Sequence, residues 1–107
     1  MLTGKQKRYL RKEAHHLEPI FQVGKYGITD NFIQQIDEAL ERRELFKITL
    51  LQNTDEEIND VANMLHEATK AEVVQIIGRI IVLYRPSQQK KYQKYSQEVY
   101  KIRQKQA

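Results

Sequence analysis

Apolar residues recur at three- and four-residue intervals in three segments of the chain, and this spacing predicts three helices. The first helix follows the capping-box pair Thr3 and Gln6 and is expected to run to about residue 16. The second begins at Thr29 or Asp30 and ends near residue 43, and the third follows another capping-box pattern at residues 54–57. Their apolar stripes are Leu10, Ala14 and Leu17 in the first; Phe32, Ile33, Ile36, Ala39 and Leu40 in the second; and Ile58, Val61, Ala62, Leu65 and Ala68 in the third.

Between and after these helices, four β-prone runs predict strands at residues 20–23, 45–51, 72–77 and 80–84. The second run is apolar almost throughout, which favours a central strand. Only Gly78 and Arg79 separate the last two runs, and glycine at the first turn position is typical of a type II′ hairpin. The resulting order predicts a compact α/β domain of the α+β kind, α-β-α-β-α-β-β, with a four-stranded mixed sheet and right-handed crossovers.

The last segment of the chain differs from the rest in composition, since it is rich in Lys, Gln and Tyr. With 107 residues the chain has room for one domain, which we place at residues 1–86, followed by a basic C-terminal tail at residues 87–107. In this tail Tyr92, Tyr95, Val99 and Ile102 follow helical spacing, although the stripe is thin. A basic amphipathic helix and partial disorder therefore both remain open.

Positive charge is concentrated at the two ends of the chain. The formal net charge is +4, yet residues 1–17 hold five Lys or Arg against one Glu, and residues 86–107 hold six against one. Such segregation favours a polyanionic partner, although basic ends could also serve solubility alone. The basic residues of the first helix fall mainly off its apolar stripe and are candidates for RNA contact: Lys5, Lys7, Arg8, Arg11 and Lys12.

Several function classes find no support in the sequence. The chain has no cysteine, which excludes disulfides and thiolate metal sites and suits the cytoplasm. No apolar run approaches the roughly 18 residues of a membrane span, and nothing resembles a signal peptide. His15 and His16 are adjacent and His66 stands apart, so metal-ligand spacing is missing. Without a nucleotide-binding glycine motif or an enzyme signature, we expect no catalysis, cofactor, metal, membrane or small-molecule substrate.

One turn has a pattern that suits phosphate binding. Gly24 and Gly27 bracket Lys25 and Tyr26 between the first strand and the second helix. Glycines permit positive φ and remove side chains that would keep a nucleic-acid backbone at a distance. The amides and the dipole at the start of the helix, near Thr29, form a natural anion site. Lys25 would add a charge and Tyr26 a ring for stacking, although glycine turns before helices are also common in proteins without such a role.

Three further basic residues are candidates for a wider RNA-contacting surface. Arg79 in the hairpin turn and Arg85 at the end of the last strand are expected to be exposed, where they could contact phosphate or only solvate the strand ends. Lys47 alternates with apolar neighbours in the second strand, so its side chain is expected to face away from the core.

Several spaced motifs occur in a fixed order over about residues 2–85. They are Leu2-Thr3 with Lys5-Gln6; Ala14-His15 and Pro19; Gly24-Lys25-x-Gly27-x-Thr29; Glu44-Leu45-x-Lys47; Val74-Gln75-x-Ile77-Gly78; and Leu83-Tyr84-Arg85. Together they resemble the CRM domain and, within it, the stand-alone bacterial YhbY/YqeI-type RNA-binding proteins. The tail at residues 87–107 lies outside the shared pattern, so the resemblance implies nothing about it.

This resemblance implies a fold similar to the C-terminal domain of bacterial translation initiation factor three. It also implies that the G-x-x-G loop, similar to that of KH domains, contacts RNA. The expected protein is a cytoplasmic, non-enzymatic monomer that binds structured ribosomal RNA in precursors of the large ribosomal subunit and acts in ribosome assembly. The residues leave an alternative open, namely an interaction module whose basic ends bind an acidic or ribosomal protein.

Overall fold

Helices and strands follow one another in the predicted order, and a further helix follows the last strand. The computed structural model describes residues 2–106, with side chains for residues 2–103. The predicted segments 1–86 and 87–107 begin and end at Met1 and Ala107, which lie outside the described range. The elements are α1 (Gly4–Ala14), β1 (Phe21–Val23), α2 (Asp30–Arg43), β2 (Leu45–Leu50), α3 (Ile58–Thr69), β3 (Glu72–Ile77), β4 (Ile80–Tyr84), a 3₁₀ turn (Lys90–Tyr92) and α4 (Lys94–Gln106). Within the described range, no helix is both long and apolar enough to cross a membrane.

The four strands form one mixed sheet in the order β1-β2-β4-β3. β1 pairs with β2 in parallel, whereas β4 pairs antiparallel with both β2 and β3. The central position of β2 and the final hairpin are therefore confirmed, and Gly78 has the positive φ, +58°, that its place in the turn requires. Leu50 N donates to Arg79 O at 2.8 Å, so the carboxyl end of β2 meets the hairpin turn at one end of the sheet.

Apolar side chains cover both faces of the sheet. On one face, α2 and α3 pack on Phe46, Ile48 and Leu50 of β2. On the other face, α1 and α4 pack on a second cluster that includes Leu45 and Tyr84. Because both faces are buried, β2 and β4 read as nearly continuous apolar runs instead of alternating ones. The molecule therefore has three layers, with helices on both sides of the sheet.

The first two helix starts agree with the prediction. Gln6 N donates to Thr3 Oγ1 at 3.1 Å and Thr3 N donates to Gln6 Oε1 at 2.8 Å, so the expected capping box forms. Thr29 Oγ1 accepts from Phe32 N at 3.0 Å, which makes Thr29, and not Asp30, the N-cap of α2. Both helices therefore begin where a threonine hydroxyl can accept a hydrogen bond from an amide of the first turn.

The capping box predicted from Thr54 to Glu57 at the start of the third helix does not form. The helix begins at Ile58, and its N-cap is Glu57, whose carboxylate accepts from two amides of the first turn at 3.0 and 3.1 Å. Thr54 is buried in the preceding loop, where its hydroxyl accepts from an amide two residues later. At the other end Thr69 is buried instead of the expected Ala68, because its hydroxyl donates to a carbonyl of the preceding turn at 2.7 Å.

The C-terminal segment is fastened to the domain by Glu44, which the sequence analysis named only as part of a family motif and gave no structural role. Glu44 is fully buried, follows the last residue of α2, and has a φ of +65°. Its carboxylate accepts three backbone hydrogen bonds from the C-terminal segment, donated by Ser87 N (2.7 Å), Tyr95 N (2.8 Å) and Ser96 N (3.0 Å). On the same face, Gln6 Nε2 donates to Val99 O at 2.9 Å. These bonds hold α4 against α1 and the sheet.

Candidate nucleic-acid interface

The turn Gly24–Gly27 joins β1 to α2 at the end of the sheet where β1 and β2 terminate. Gly27 N donates to Gly24 O at 3.0 Å, which closes a β-turn with Lys25 and Tyr26 at its two corners. Gly27 has a φ of +66°, a conformation that favours glycine. Tyr26 is 81% exposed, and Lys25 Nζ lies 5.1 Å from the centre of its ring. The turn therefore presents a cation and an aromatic ring together to the solvent.

The start of α2 contributes backbone donors beside this turn. Thr29 uses its hydroxyl to cap Phe32 N, so its side chain serves the helix first. The amides of Asp30 and Asn31 come before the first intrahelical hydrogen bond and point out of the helix end. Together with the helix dipole they favour an anion there, although the Asp30 carboxylate already supplies part of that charge.

Glu56 lies directly against the turn, a contact that the sequence analysis missed. A Cβ atom on Gly27 would lie 2.6 Å from Glu56 Oε1, so a side chain at residue 27 would force Glu56 to shift and would strain the positive φ. At Gly24 an added Cβ would meet Asn53 and Leu51 at 3.6 and 3.7 Å, which is ordinary contact. Only the parallel pairing of β1 with β2 could have revealed this contact from sequence, because it brings the loops after the two strands to the same end of the sheet.

Arg79 lies at the same end of the sheet as the turn. Its Nε and Nη2 atoms donate to the carbonyl oxygens of Leu50 and Leu51 at 2.9 and 2.8 Å. Leu51 N in turn donates to the carbonyl of Val23, the residue before Gly24, at 2.8 Å. Arg79 is exposed as predicted, and its guanidinium also fixes the hairpin tip to the end of β2.

The basic residues of α1 lie on a different side of the molecule. Four of them are exposed and Lys7 is half-buried; the exposed ones are Lys5, Arg8, Arg11 and Lys12. The opposite flank of α1 faces α4, where burial together with the charges of Glu13 and Glu98 raises the pKa of Tyr9 to about 12. Lys47 faces away from the α2–α3 core but lies on the side that carries the second cluster, where it is half-buried, so the prediction that it faces away from the core is right for one face of the sheet only.

The predicted exposure of Arg85 is wrong. Its side chain is 17% exposed and forms ion pairs with Asp37 at 2.6 Å and Glu41 at 3.2 Å. It also donates to the carbonyl oxygen of Thr69 at 2.8 Å, and so joins α2 to the end of α3. A strand end that lies between two helices is not a solvent-exposed position, and the two carboxylates compensate the charge of Arg85.

The histidines have surroundings that account for them structurally. His66 Nδ1 lies 2.6 Å from Ala71 O, and the rings of His15 and His16 contact each other edge to face. Among the residues that the structure describes, no three His, Asp or Glu side chains lie together as a metal site would require.

Comparison with known proteins identifies several similar chains. A family model described as the CRS1 / YhbY (CRM) domain matches residues 2–85. A Bacillus subtilis protein named "Probable RNA-binding protein YqeI" is 59% identical over 91 residues, which cover 85% of this chain and 95% of YqeI. A Haemophilus influenzae protein named "RNA-binding protein" is 40% identical over 92 residues, covering 86% of this chain and 93% of the relative.

A solved structure is also similar. The solution structure of a hypothetical protein from Staphylococcus aureus, described there as a candidate RNA-binding protein, is 56% identical in sequence. The two structures superpose with a TM-score of 0.70, over 84% of this chain and 94% of the other.

Proposed function

The chain belongs to the CRS1/YhbY (CRM) domain family, and from this premise we propose that it is a non-enzymatic RNA-binding protein of ribosome assembly. It associates in the cytoplasm with precursors of the large ribosomal subunit and binds structured ribosomal RNA. The observation that carries the proposal is the exposed pair Lys25 and Tyr26, presented by a glycine-bracketed turn beside the open start of α2.

The turn binds the RNA backbone, not a particular base. The missing side chains of Gly24 and Gly27 let a phosphate approach the main chain, and the first amides of α2 donate to it. Lys25 adds a full charge, and Tyr26 offers its exposed ring to a base or ribose. None of these groups reads a base edge, so recognition follows the shape of the RNA.

The turn alone does not supply enough positive charge for tight binding. Lys25 has two acidic neighbours, Asp30 in the first turn of α2 and Glu56 against Gly27. Glu56 therefore has to move away from the turn when a phosphate arrives. The remaining affinity comes from the wider basic surface, and it is lost as salt rises. That surface has two parts: Arg79 with Thr29 beside the turn, and a group on the side of the molecule that carries α1, namely Lys5, Lys7, Arg8, Arg11, Lys12 and Lys47.

Charge changes at the turn test the proposal. We expect Lys25→Glu to weaken binding of a large-subunit ribosomal RNA transcript by about tenfold or more near 0.1 M salt, because it removes a phosphate contact and adds repulsion. Glu56→Gln should instead strengthen binding about two- to threefold. Fluorescence anisotropy titrations at several salt concentrations measure both effects.

Matched controls separate a local effect from net charge. Lys70→Glu makes the same change at the end of α3, and Glu67→Gln neutralises an exposed carboxylate on that helix. If folded Lys25→Glu protein binds like Lys70→Glu protein, the turn is not the RNA site. Cosedimentation with precursor subunits tests the assembly role, and association that survives complete RNA digestion would favour an acidic or ribosomal protein as partner.

A further inference from the structure

A second basic groove lies at the far end of α2 from the glycine turn. It has a volume of about 400 Å³ and separates the end of α2 from the segment that leads into α4. Arg42 and Arg43 line one side, Lys91 and Lys94 line the other, and Leu45 contributes to the lining. Tyr92, half-buried, completes the lining next to the two lysines.

The four cations of this groove are available for binding. All four residues are exposed, and the ion pairs found among residues 2–103 involve other side chains. Lys91 Nζ lies 5.0 Å from the centre of the Tyr92 ring, and Lys94 Nζ lies 5.3 Å from that of Tyr95. Among the described residues no carboxylate lines the groove, so the cations reinforce one another's field.

Helix dipoles explain only part of this charge. Arg42 and Arg43 lie in the last turn of α2, where cations are favourable. Lys94 is the first residue of α4, where the dipole disfavours cations and the first turn contains no acidic residue, and Lys91 lies in the preceding 3₁₀ turn. A lysine at an unfavourable helix position, clustered with three further cations, favours an anion from outside the chain.

The groove is built on fixed supports. Glu44 accepts the amides of Tyr95 and Ser96, and Gln93 Nε2 donates to Ser87 O at 2.9 Å. Tyr95 itself is buried in the α1–α4 cluster. The lysine side of the groove is therefore held in place against the arginine side before any ligand binds.

We infer that this groove binds the sugar–phosphate backbone of RNA, as a second contact site that rests on the proposed function. The guanidinium of a single arginine can bind a phosphate through two parallel hydrogen bonds, and lysines add point charges. Tyr92 offers part of a ring face to a ribose or base. The family match ends at residue 85, so the lysine side of this groove lies outside the matched domain.

The two sites are separated by the length of α2. Its 14 residues span about 20 Å at about 1.5 Å per residue. At about 3.4 Å per phosphate along one strand of a DNA duplex, this distance corresponds to about six nucleotides, and to somewhat more in A-form RNA, whose rise per nucleotide is smaller. An RNA helix of two turns is therefore long enough to contact both ends of α2 at once.

The test uses the full chain and an RNA hairpin of about 20 base pairs. We expect the double variant Lys91→Glu/Lys94→Glu to bind this RNA about tenfold more weakly or worse near 0.1 M salt, and to lower the slope of log affinity against log salt by about 1.5. Lys91→Gln/Lys94→Gln should show a smaller loss in the same direction. Lys70→Glu/Lys101→Glu makes the matched charge change away from the groove.

Each outcome has a defined meaning. If the groove variant binds RNA like the matched control, the inference is overturned, and an acidic protein segment becomes the candidate occupant. If Lys25→Glu weakens binding while the groove variant does not, the proposed function stands without a second site. If the groove variant weakens binding while Lys25→Glu does not, the groove stands and the turn is not the primary site. Thermal unfolding of each variant verifies the fold.

Discussion

Backbone amides lie near both ends of α2, but the chain supplies a buried acceptor for them at one end only. At its start, which we call the open end, unpaired amides lie beside the Gly24–Gly27 turn. At its other end, the closed end, Glu44 brings a buried carboxylate to the amides of Ser87, Tyr95 and Ser96. The chain thus provides its own anion at the closed end and leaves the open end to solvent and Glu56.

This difference separates stability from binding. An internal anion that satisfies three buried amides fastens one segment of the chain to another. Unpaired amides at the surface cost little, because water can hydrogen-bond to them, and they stay available to a phosphate. Substitution of the buried Glu44 at the closed end should therefore change the free energy of unfolding, whereas substitution of an exposed group such as Lys25 at the open end should mainly change RNA affinity.

The largest effect is expected from Glu44→Ala. It leaves three buried amides without their acceptor, and we expect the free energy of unfolding to fall by about 3–5 kcal/mol. Urea denaturation measures the loss, and hydrogen exchange should show that α4 loses protection before the sheet does.

Two further variants serve as comparisons for Glu44→Ala. Glu44→Gly avoids the cost of a side chain at the φ of +65° and should regain about 1 kcal/mol relative to alanine. Glu38→Ala removes an exposed carboxylate from the same helix and should change stability by no more than about 0.5 kcal/mol. A Glu44→Ala protein as stable as the Glu38→Ala protein would mean that the Glu44 carboxylate does not hold the C-terminal segment in place.

Smaller changes in the free energy of unfolding are expected at the two glycines of the open end, and they differ between the two positions. Gly27→Ala should lower the free energy of unfolding by about 1–2 kcal/mol, because of the positive φ and the contact with Glu56. Gly24→Ala meets only ordinary contacts and should be neutral or stabilising by up to about 1 kcal/mol. Equal effects at the two glycines would show that the turn does not constrain residue 27 as described.

The smallest effect at neutral pH is expected from Tyr84→Phe at the closed end. Tyr84 is buried, and its hydroxyl finds no hydrogen-bond partner among the described residues. Removing it should therefore change the free energy of unfolding by less than about 1 kcal/mol near pH 7, in the stabilising direction.

Alkaline pH should increase the difference in stability between the wild-type protein and Tyr84→Phe. Burial, and then the charge of Glu44, raises the pKa of Tyr84 above its usual value. The folded state thus keeps the proton while the unfolded state loses it above about pH 10, so this stability is complete below pH 10 and is lost as pH rises further. We expect wild-type stability to fall more steeply than that of Tyr84→Phe, by up to about 1.4 kcal/mol per pH unit. Parallel curves would contradict the shift.

Periodicity and turn chemistry were enough to predict most of the fold. The strands β3 and β4 and the capping residues Thr3 and Thr29 could be read from local patterns, because neighbouring residues determine them. The open end was predictable for the same reason, since the glycines and the helix start are contiguous in sequence.

Contacts between distant segments could not be predicted. Glu44 is one carboxylate among 14 in the sequence, and only the packing of α4 brings the amides of residues 87–96 to it. Arg85 seemed exposed because nothing near it in sequence indicates Asp37 and Glu41. Glu56 reaches Gly27 only through the parallel pairing of two strands.

The hydrogen bond between Gln6 and Val99 limits how early the chain can finish folding while it is being synthesised. The two residues are 93 positions apart, and at about 5–20 residues per second the ribosome needs roughly 5 to 20 seconds to make the second after the first. The α2–α3 face can close as soon as β4 has emerged. The buried amide of Gln6 waits for nearly the whole chain, so the nascent protein completes its third layer only with its final helix.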